Sequence, residues 1–316
     1  MIGGKLMKKL QWMISLIIIL SGLVAAANIG IIQIIEHPAL DAARNGFMDE
    51  IKEQGFDVKY TYQNAQGDMS TLQTIAGKLV ADKVDLILAI ATPSAQAAAK
   101  ATTTIPVLIT AVTDPVAAGL VKNLKQPGTN VTGTSDLNPV DKQLALIKQI
   151  RPSATRIGII YNAGETNSIV QVDLAKEAAT KLGLKLVLAT VTETSGVYQA
   201  AQSLAGRVDA VYVPTDNTVV AALESVIAFC ERNRLPLIAG EGESVNRGAL
   251  ATIGIDYYQL GRQTGAMALK ILKGEKAENT PIEFQNTMNL LINTNAAKRM
   301  GVTIPQVLMK NATLVQ

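Results

Sequence analysis

The chain reads as an α/β protein made of two doubly wound parallel-sheet domains. Three observations predict this. The stretch "IGII" occurs at Ile29–Ile32 and again at Ile157–Ile160, with Gly55 and Gly183 at the same offset from the two copies. Each copy is followed by the same order of strands and helices. Strands such as "DLILAI" are apolar on both faces, as strands in a parallel sheet covered on each side by helices must be.

The elements follow in order. After the first "IGII", the segment "HPALDAARNGFMDEIKEQG" puts Leu40, Ala43, Phe47 and Ile51 on one helical face, with Pro38 suited to the first turn and Gly55 as the stop. In "DMSTLQTIAGKLVADK", Leu72, Ile75, Ala76, Leu79 and Val80 repeat that pattern behind a cap at Ser70 or Asp68. A buried strand from Val84 ("VDLILAI"), a polar helix start ("TPSAQ") and a strand led by proline ("IPVLIT") complete the unit. The second copy answers with "KLGLKLVLAT", "VDAVYVP", "TDNTV" and "LPLIAG". Alternating strands and helices of this kind build a doubly wound sheet in each half.

Before the first strand, Lys5, Lys8 and Lys9 precede an apolar run and then Ala25, Ala26 and Ala27. A basic front, a short apolar core and an Ala-x-Ala end predict a secretory leader over residues 1–27. An uncleaved membrane anchor is the alternative, against which the shortness of the apolar run counts. No cysteine lies near the expected cut, which argues against a lipid anchor. The chain carries 29 Lys and Arg against 26 Asp and Glu, and the three leader lysines account for the difference. The mature chain is formally neutral, so nothing in its charge points to a nucleic acid. The single cysteine, Cys230, excludes an internal disulfide and reads as a packed thiol.

Ligands of open α/β sheets bind beyond the carboxyl ends of the strands, and two such sheets facing each other would share one cleft. The loops there read "QIIEHPALD", "ATPSAQ", "TAVTDPV", "YNAGETNS", "PTDNTV" and "AGEGES". Catalysis finds little footing in them. The lone histidine, His37, has no nucleophile motif beside it, and one His with one distant Cys does not supply a typical metal set. No phosphate-cradling glycine motif follows either first strand, and no cofactor is expected. Binding chemistry fits better. Thr92 and Ser94, with the amides of Ser94, Ala95 and Gln96, stand at a helix start suited to a carboxylate, although an ordinary N-cap would look the same. Asp114, beside Thr113, carries the same ambiguity. Asp216, Asn217 and Thr218 occupy the matching place in the second half, where Asp216, Asp114 or Glu241 is expected to take an ammonium, Asp216 foremost. Tyr161 and Asn162 follow the second "IGII", and Glu36 and His37 the first, so all four are expected at the cleft mouth. A carboxylate pocket facing several acids is what an α-amino acid requires.

The runs "IGIIQIIEHPALDAARNGF", "ATPSAQAA", "TAVTDPVAAGLV", "GTNVTGTSD", "RIGIIYN", "VYVPTDNTV" and "LPLIAGE" closely resemble the ABC transporter substrate-binding proteins of the tryptophan/tyrosine-binding type. The resemblance covers nearly the whole mature chain. It implies a periplasmic-binding-protein-like type I fold with three hinge crossings, near "NVTGTSD", "ATIGID" and "MNLLINT". The expected division is 28–131 with 256–286 as the N-terminal lobe and 132–255 with 287–316 as the C-terminal lobe. It also implies an aromatic or branched-chain amino acid as cargo, with L-tryptophan, L-phenylalanine or L-tyrosine foremost, and a membrane ABC permease as partner. Its setting would be periplasmic and its state monomeric. A sugar receptor usually stacks its ligand on tryptophan, and Trp12, the only one, lies in the leader. A regulator of this fold needs a DNA-binding segment where the leader stands. A sensory role remains an alternative to transport.

Overall fold

The computed structural model describes residues 26–285 and 287–316. The expected leader lies outside them except for Ala26 and Ala27. Ala27 already belongs to the first strand, pairing with Val58.

The first sheet contains β1 (Ala27–Gln33), β2 (Val58–Asn64), β3 (Leu86–Ile90), β4 (Val107–Val112), β5 (Val131–Ser135) and a short β11 (Glu283–Phe284). Its order is β11-β5-β4-β3-β1-β2. The second contains β6 (Arg156–Asn162), β7 (Lys185–Val191), β8 (Ala210–Val213), β9 (Leu237–Ala239), β10 (Ala251–Gly254), β12 (Asn289–Asn293) and β13 (Thr313–Val315), in the order β13-β12-β10-β9-β8-β6-β7. The two "IGII" strands therefore hold the same place, each between the second and third strands of its own sheet. Strands β1 to β5 and β6 to β10 are parallel throughout, and only β12 runs antiparallel to its neighbour β10.

The crossover helices are α1 (Pro38–Glu53), α2 (Met69–Ala81), α3 (Thr92–Ala101), α4 (Val140–Ile150), α5 (Thr166–Leu182), α6 (Val197–Gln202), α7 (Asn217–Ala221), α8 (Leu223–Asn233), α9 (Gly242–Arg247), α10 (Tyr257–Leu272), α11 (Thr294–Arg299) and α12 (Gln306–Lys310). On α1, Leu40, Ala43, Phe47 and Ile51 are all buried, and on α2 Leu72, Ile75, Ala76 and Leu79 are. Asp68 caps α2, its carboxylate accepting from the Thr71 amide at 2.6 Å. Gly55 and Gly183 end α1 and α5 with φ near +67° and +65°, a left-handed turn that glycine adopts without cost. β3 and β4 are buried along their whole length, and each sheet with its helices encloses a separate apolar core.

The chain passes from sheet to sheet after Ser135, after Gly254 and after Phe284. The boundary expected between 131 and 132 falls inside β5, which is held in the first sheet by β4 and β11. The second and third crossings are stitched together. The Gln285 amide donates to the Asp256 carbonyl at 2.6 Å and accepts from the Asp256 N–H at 3.1 Å. No helix among the described residues is long and apolar enough to cross a membrane.

Candidate functional site

Between the sheets lies a narrow cavity lined at the carboxyl ends of their strands. His37, Leu40, Ala111, Asp136 and Tyr257 come from the first lobe and its crossings, and Asn167, Thr215, Asn217, Val220 and Glu241 from the second. It has room for no more than about one water molecule. A wider groove between the lobes is lined by Ile34, Met69 and Pro93 on one side and by Asn162, Glu165 and Thr218 on the other.

His37 stands at the start of α1, buried, with neither ring nitrogen paired. Burial and the nearby Arg247 charge push its pKa down to about 3, against the opposing pull of Asn217, so the imidazole is neutral. It offers one donor and one acceptor. Asp136 directly follows β5 and accepts hydrogen bonds from Thr113 Oγ1 at 3.0 Å and Tyr257 Oη at 2.5 Å. Burial pushes its carboxyl above the usual range in spite of both donors. Glu241 follows β9 and caps α9 by accepting from the Ser244 amide and hydroxyl, and burial again raises its pKa. Among the described residues, neither Lys nor Arg lines the cavity.

Beside it sits a second pair of buried acids. Glu165 accepts from Asn217 Nδ2 at 2.5 Å, Thr218 Oγ1 at 2.8 Å and Asn167 Nδ2 at 3.0 Å. Asp216 accepts from the Asn162 amide and Ser168 Oγ at 2.6 Å each and from the Val219 amide at 2.8 Å. Burial and the facing Glu165 charge push Asp216 up to about 7. Both its oxygens are spent on protein donors, binding the end of β6, α5 and α7 into one unit. Asp216, the foremost candidate for an ammonium, is not among the cavity's lining residues.

At the start of α3, Thr92 Oγ1 and Ser94 Oγ are buried and unpaired. Ala91 just before them has φ 75° and ψ 156°, a region nearly confined to glycine, so the turn into the helix is strained. The Ala95 amide, expected to be free, is taken by the Ala91 carbonyl at 3.1 Å. Gln96 reaches the Ala118 carbonyl at 3.2 Å and Thr166 Oγ1 at 3.4 Å, the latter on the opposite lobe.

Of the expected residues, His37, Asn217 and Glu241 line the cavity, and Thr92, Ser94, Ala95, Gln96 and the others do not. Glu36 is exposed and accepts from Tyr62 Oη at 3.0 Å. Asp114 caps its own turn, accepting from the Val116 and Ala117 amides at 2.9 Å. Tyr161 packs on the core of the second lobe. Asn162 and Thr218 line the outer groove, Asn217 lines both spaces, and Thr113 stands behind Asp136. Asp136, Tyr257, Asn167, Thr215 and Glu165 were not expected. The signal for the first two was their place at the lobe crossings, which run behind any shared cleft. Glu165 and Asn167 stood in the "YNAGETNS" loop beyond its first two residues.

Among the described residues no group of His, Cys, Asp and Glu side chains could hold a metal ion. The chain is 46% identical over 279 residues to a tyrosine-binding protein of Clostridioides difficile (strain R20291), covering 87% of this chain and 81% of that one. It superposes on a Streptococcus pneumonia ABC domain in complex with L-Trp at a TM-score of 0.89 and 38% identity, covering 92% of this chain and 100% of the other. The ligand-free, open structure of a Clostridium difficile substrate-binding protein with adhesive properties is 48% identical, covers 92% of this chain and 99% of that one, and reaches a TM-score of only 0.69. The more identical of these two structures is thus the one that superposes less well. Residues 28–316 match the ABC transporter substrate binding protein family from end to end, and the chain belongs to that family.

Proposed function

We propose that the chain is an extracytoplasmic receptor that encloses an aromatic amino acid between its lobes and hands it to a membrane ABC permease. The observation that carries this reading is the likeness to the L-Trp complex, a TM-score of 0.89 over 92% of this chain, against 0.69 for the open, ligand-free relative. The 46% identity to a tyrosine-binding protein supports the aromatic class.

The site supports it in chemical terms. The unpaired Thr92 and Ser94 hydroxyls and the first amides of α3 suit the ligand's carboxylate. Leu40, Val220 and the His37 ring offer an aromatic side chain an apolar wall. Burying such a ring stabilises the complex by about 2 to 3 kcal/mol. Each lobe moves as a unit about the three crossings, so the ligand acts by favouring the closed arrangement. The receptor does no chemistry on its cargo. The leader directs it across the membrane, and it works as a monomer in the periplasm.

Because the only tryptophan, Trp12, lies in the leader, indole emission from a complex of residues 28–316 comes from the ligand alone. Titrating protein into L-tryptophan is expected to give a saturable change in its emission, reversed by L-tyrosine or L-phenylalanine. Unchanged emission, together with no rise in melting temperature from any aromatic amino acid, would overturn the aromatic reading. A rise with leucine or valine instead would redirect it to branched-chain cargo.

A further inference from the structure

β10 ends at Gly254, just before the second crossing. A Cβ built on Gly254 would have three oxygens as its nearest neighbours: Asn138 Oδ1 and the Gly240 carbonyl at 3.3 Å each, and Thr252 Oγ1 at 3.4 Å. They come from three places in the fold. Asn138 lies in the first crossing between β5 and α4, Gly240 directly follows β9, and Thr252 stands on β10 two residues before Gly254, on the same face. All four residues are buried, and Asn138 Oδ1 and Thr252 Oγ1 have no hydrogen-bond partner among the described residues. Such groups cost their full desolvation unless something pairs them.

Two nearby amides are already committed. Gln143 spends both amide hydrogens on the Gly240 and Ile253 carbonyls, at 3.1 and 2.8 Å, and its oxygen accepts from Tyr212 Oη at 2.7 Å. Asn138 Nδ2 donates to the Asp136 carbonyl at 2.9 Å, which leaves Oδ1 toward Gly254. The set then consists of two acceptors, Asn138 Oδ1 and the second lone pair of the Gly240 carbonyl, and one hydroxyl free to donate. A water molecule offers the matching two donors and an acceptor. No carboxylate belongs to the set, so a cation would be desolvated there without a charge to meet it. We propose that one water is bound before Gly254, donating to Asn138 Oδ1 and to the Gly240 carbonyl and accepting from Thr252 Oγ1. Glycine leaves it room, since any other residue would put its side chain there. The water joins the first crossing to the ends of β9 and β10 and, through Gly240, backs Glu241 where it enters the cavity.

Crystals of residues 28–316 diffracting to high resolution are expected to show one ordered water within hydrogen-bond distance of all three oxygens. A dry site, or Asn138 and Thr252 turned onto protein partners, would overturn the proposal. Thr252→Val supplies an independent test by its sign, because the two side chains have nearly the same shape. With the water in place the change strips it of a partner, and the melting temperature is expected to fall by about 2 to 4 °C. If the hydroxyl pairs with nothing, removing it relieves a buried polar group, and a melting temperature that holds or rises would refute the water.

Discussion

Gln96 of the first lobe places its side-chain amide 3.4 Å from the hydroxyl of Thr166 on the second, while donating to the Ala118 carbonyl at 3.2 Å. This hydrogen bond exists only while the lobes are together, and it lies where α3 faces α5. Gln96→Ala is expected to favour the open arrangement, weakening aromatic amino-acid binding by about 0.5 to 1.5 kcal/mol. X-ray scattering should show the wild-type particle shrinking on saturation with ligand, with the variant needing more ligand for the same change. A radius of gyration that ignores ligand in both proteins would exclude hinge closure.

The buried Asp216 makes a different prediction, about stability. Its carboxyl stands at about 7 in the fold and near 4 when unfolded, so the folded state holds the proton more tightly. The stability this contributes is present in full below about pH 4 and is lost as the pH rises through about 7. Asp216→Asn leaves an amide facing the Asn162 and Ser168 donors and is expected to cost about 1 to 3 kcal/mol. That cost should be largest in acid and narrow toward neutral pH, as read by chemical denaturation across the range. A gap that widens with pH would contradict the assignment.

In the repeated strands, Gly30 and Gly158 have matching surroundings. A Cβ on Gly30 would lie 2.7 Å from Leu79, and one on Gly158 2.7 Å from Leu204, both leucines fully buried. α2 in the first lobe, and the turn after α6 in the second, come down onto bare backbone. Gly158→Val is expected to destabilise the protein by about 1 to 3 kcal/mol through overpacking, with Gly30→Val similar, measured as a shift in denaturant midpoint.

That pair shows why the fold was legible. A glycine inside a β-branched run is a packing instruction, and writing it twice announces two sheets of one design. The equal strand orders, with β1 and β6 in equivalent places, follow from it. β5 was harder to read. "VTGTS" is rich in Thr and Gly, and its partners β4 and β11 are distant in sequence, so the segment resembled a crossing rather than a strand. The site was legible by region more than by residue. Loops at strand ends were the right place to search, and His37, Asn217 and Glu241 do reach the cavity. Sequence does not say whether an acid at a helix start spends its oxygens on its own backbone. Asp114, Asp216 and Glu241 do so, whereas Asp136 lines the cavity because β5 and α10 bring it to Tyr257. Glu165 starts α5 without capping it and instead serves the first amides of α7, a relation that only the tertiary fold creates.

Crystals of residues 28–316 grown with L-tyrosine test the central claim most directly. The ligand is predicted between closed lobes, its ring against Leu40, Val220 and His37 and its carboxylate at Thr92 and Ser94. Closed lobes with the ligand elsewhere, or saturating ligand with the lobes still apart, would contradict the account.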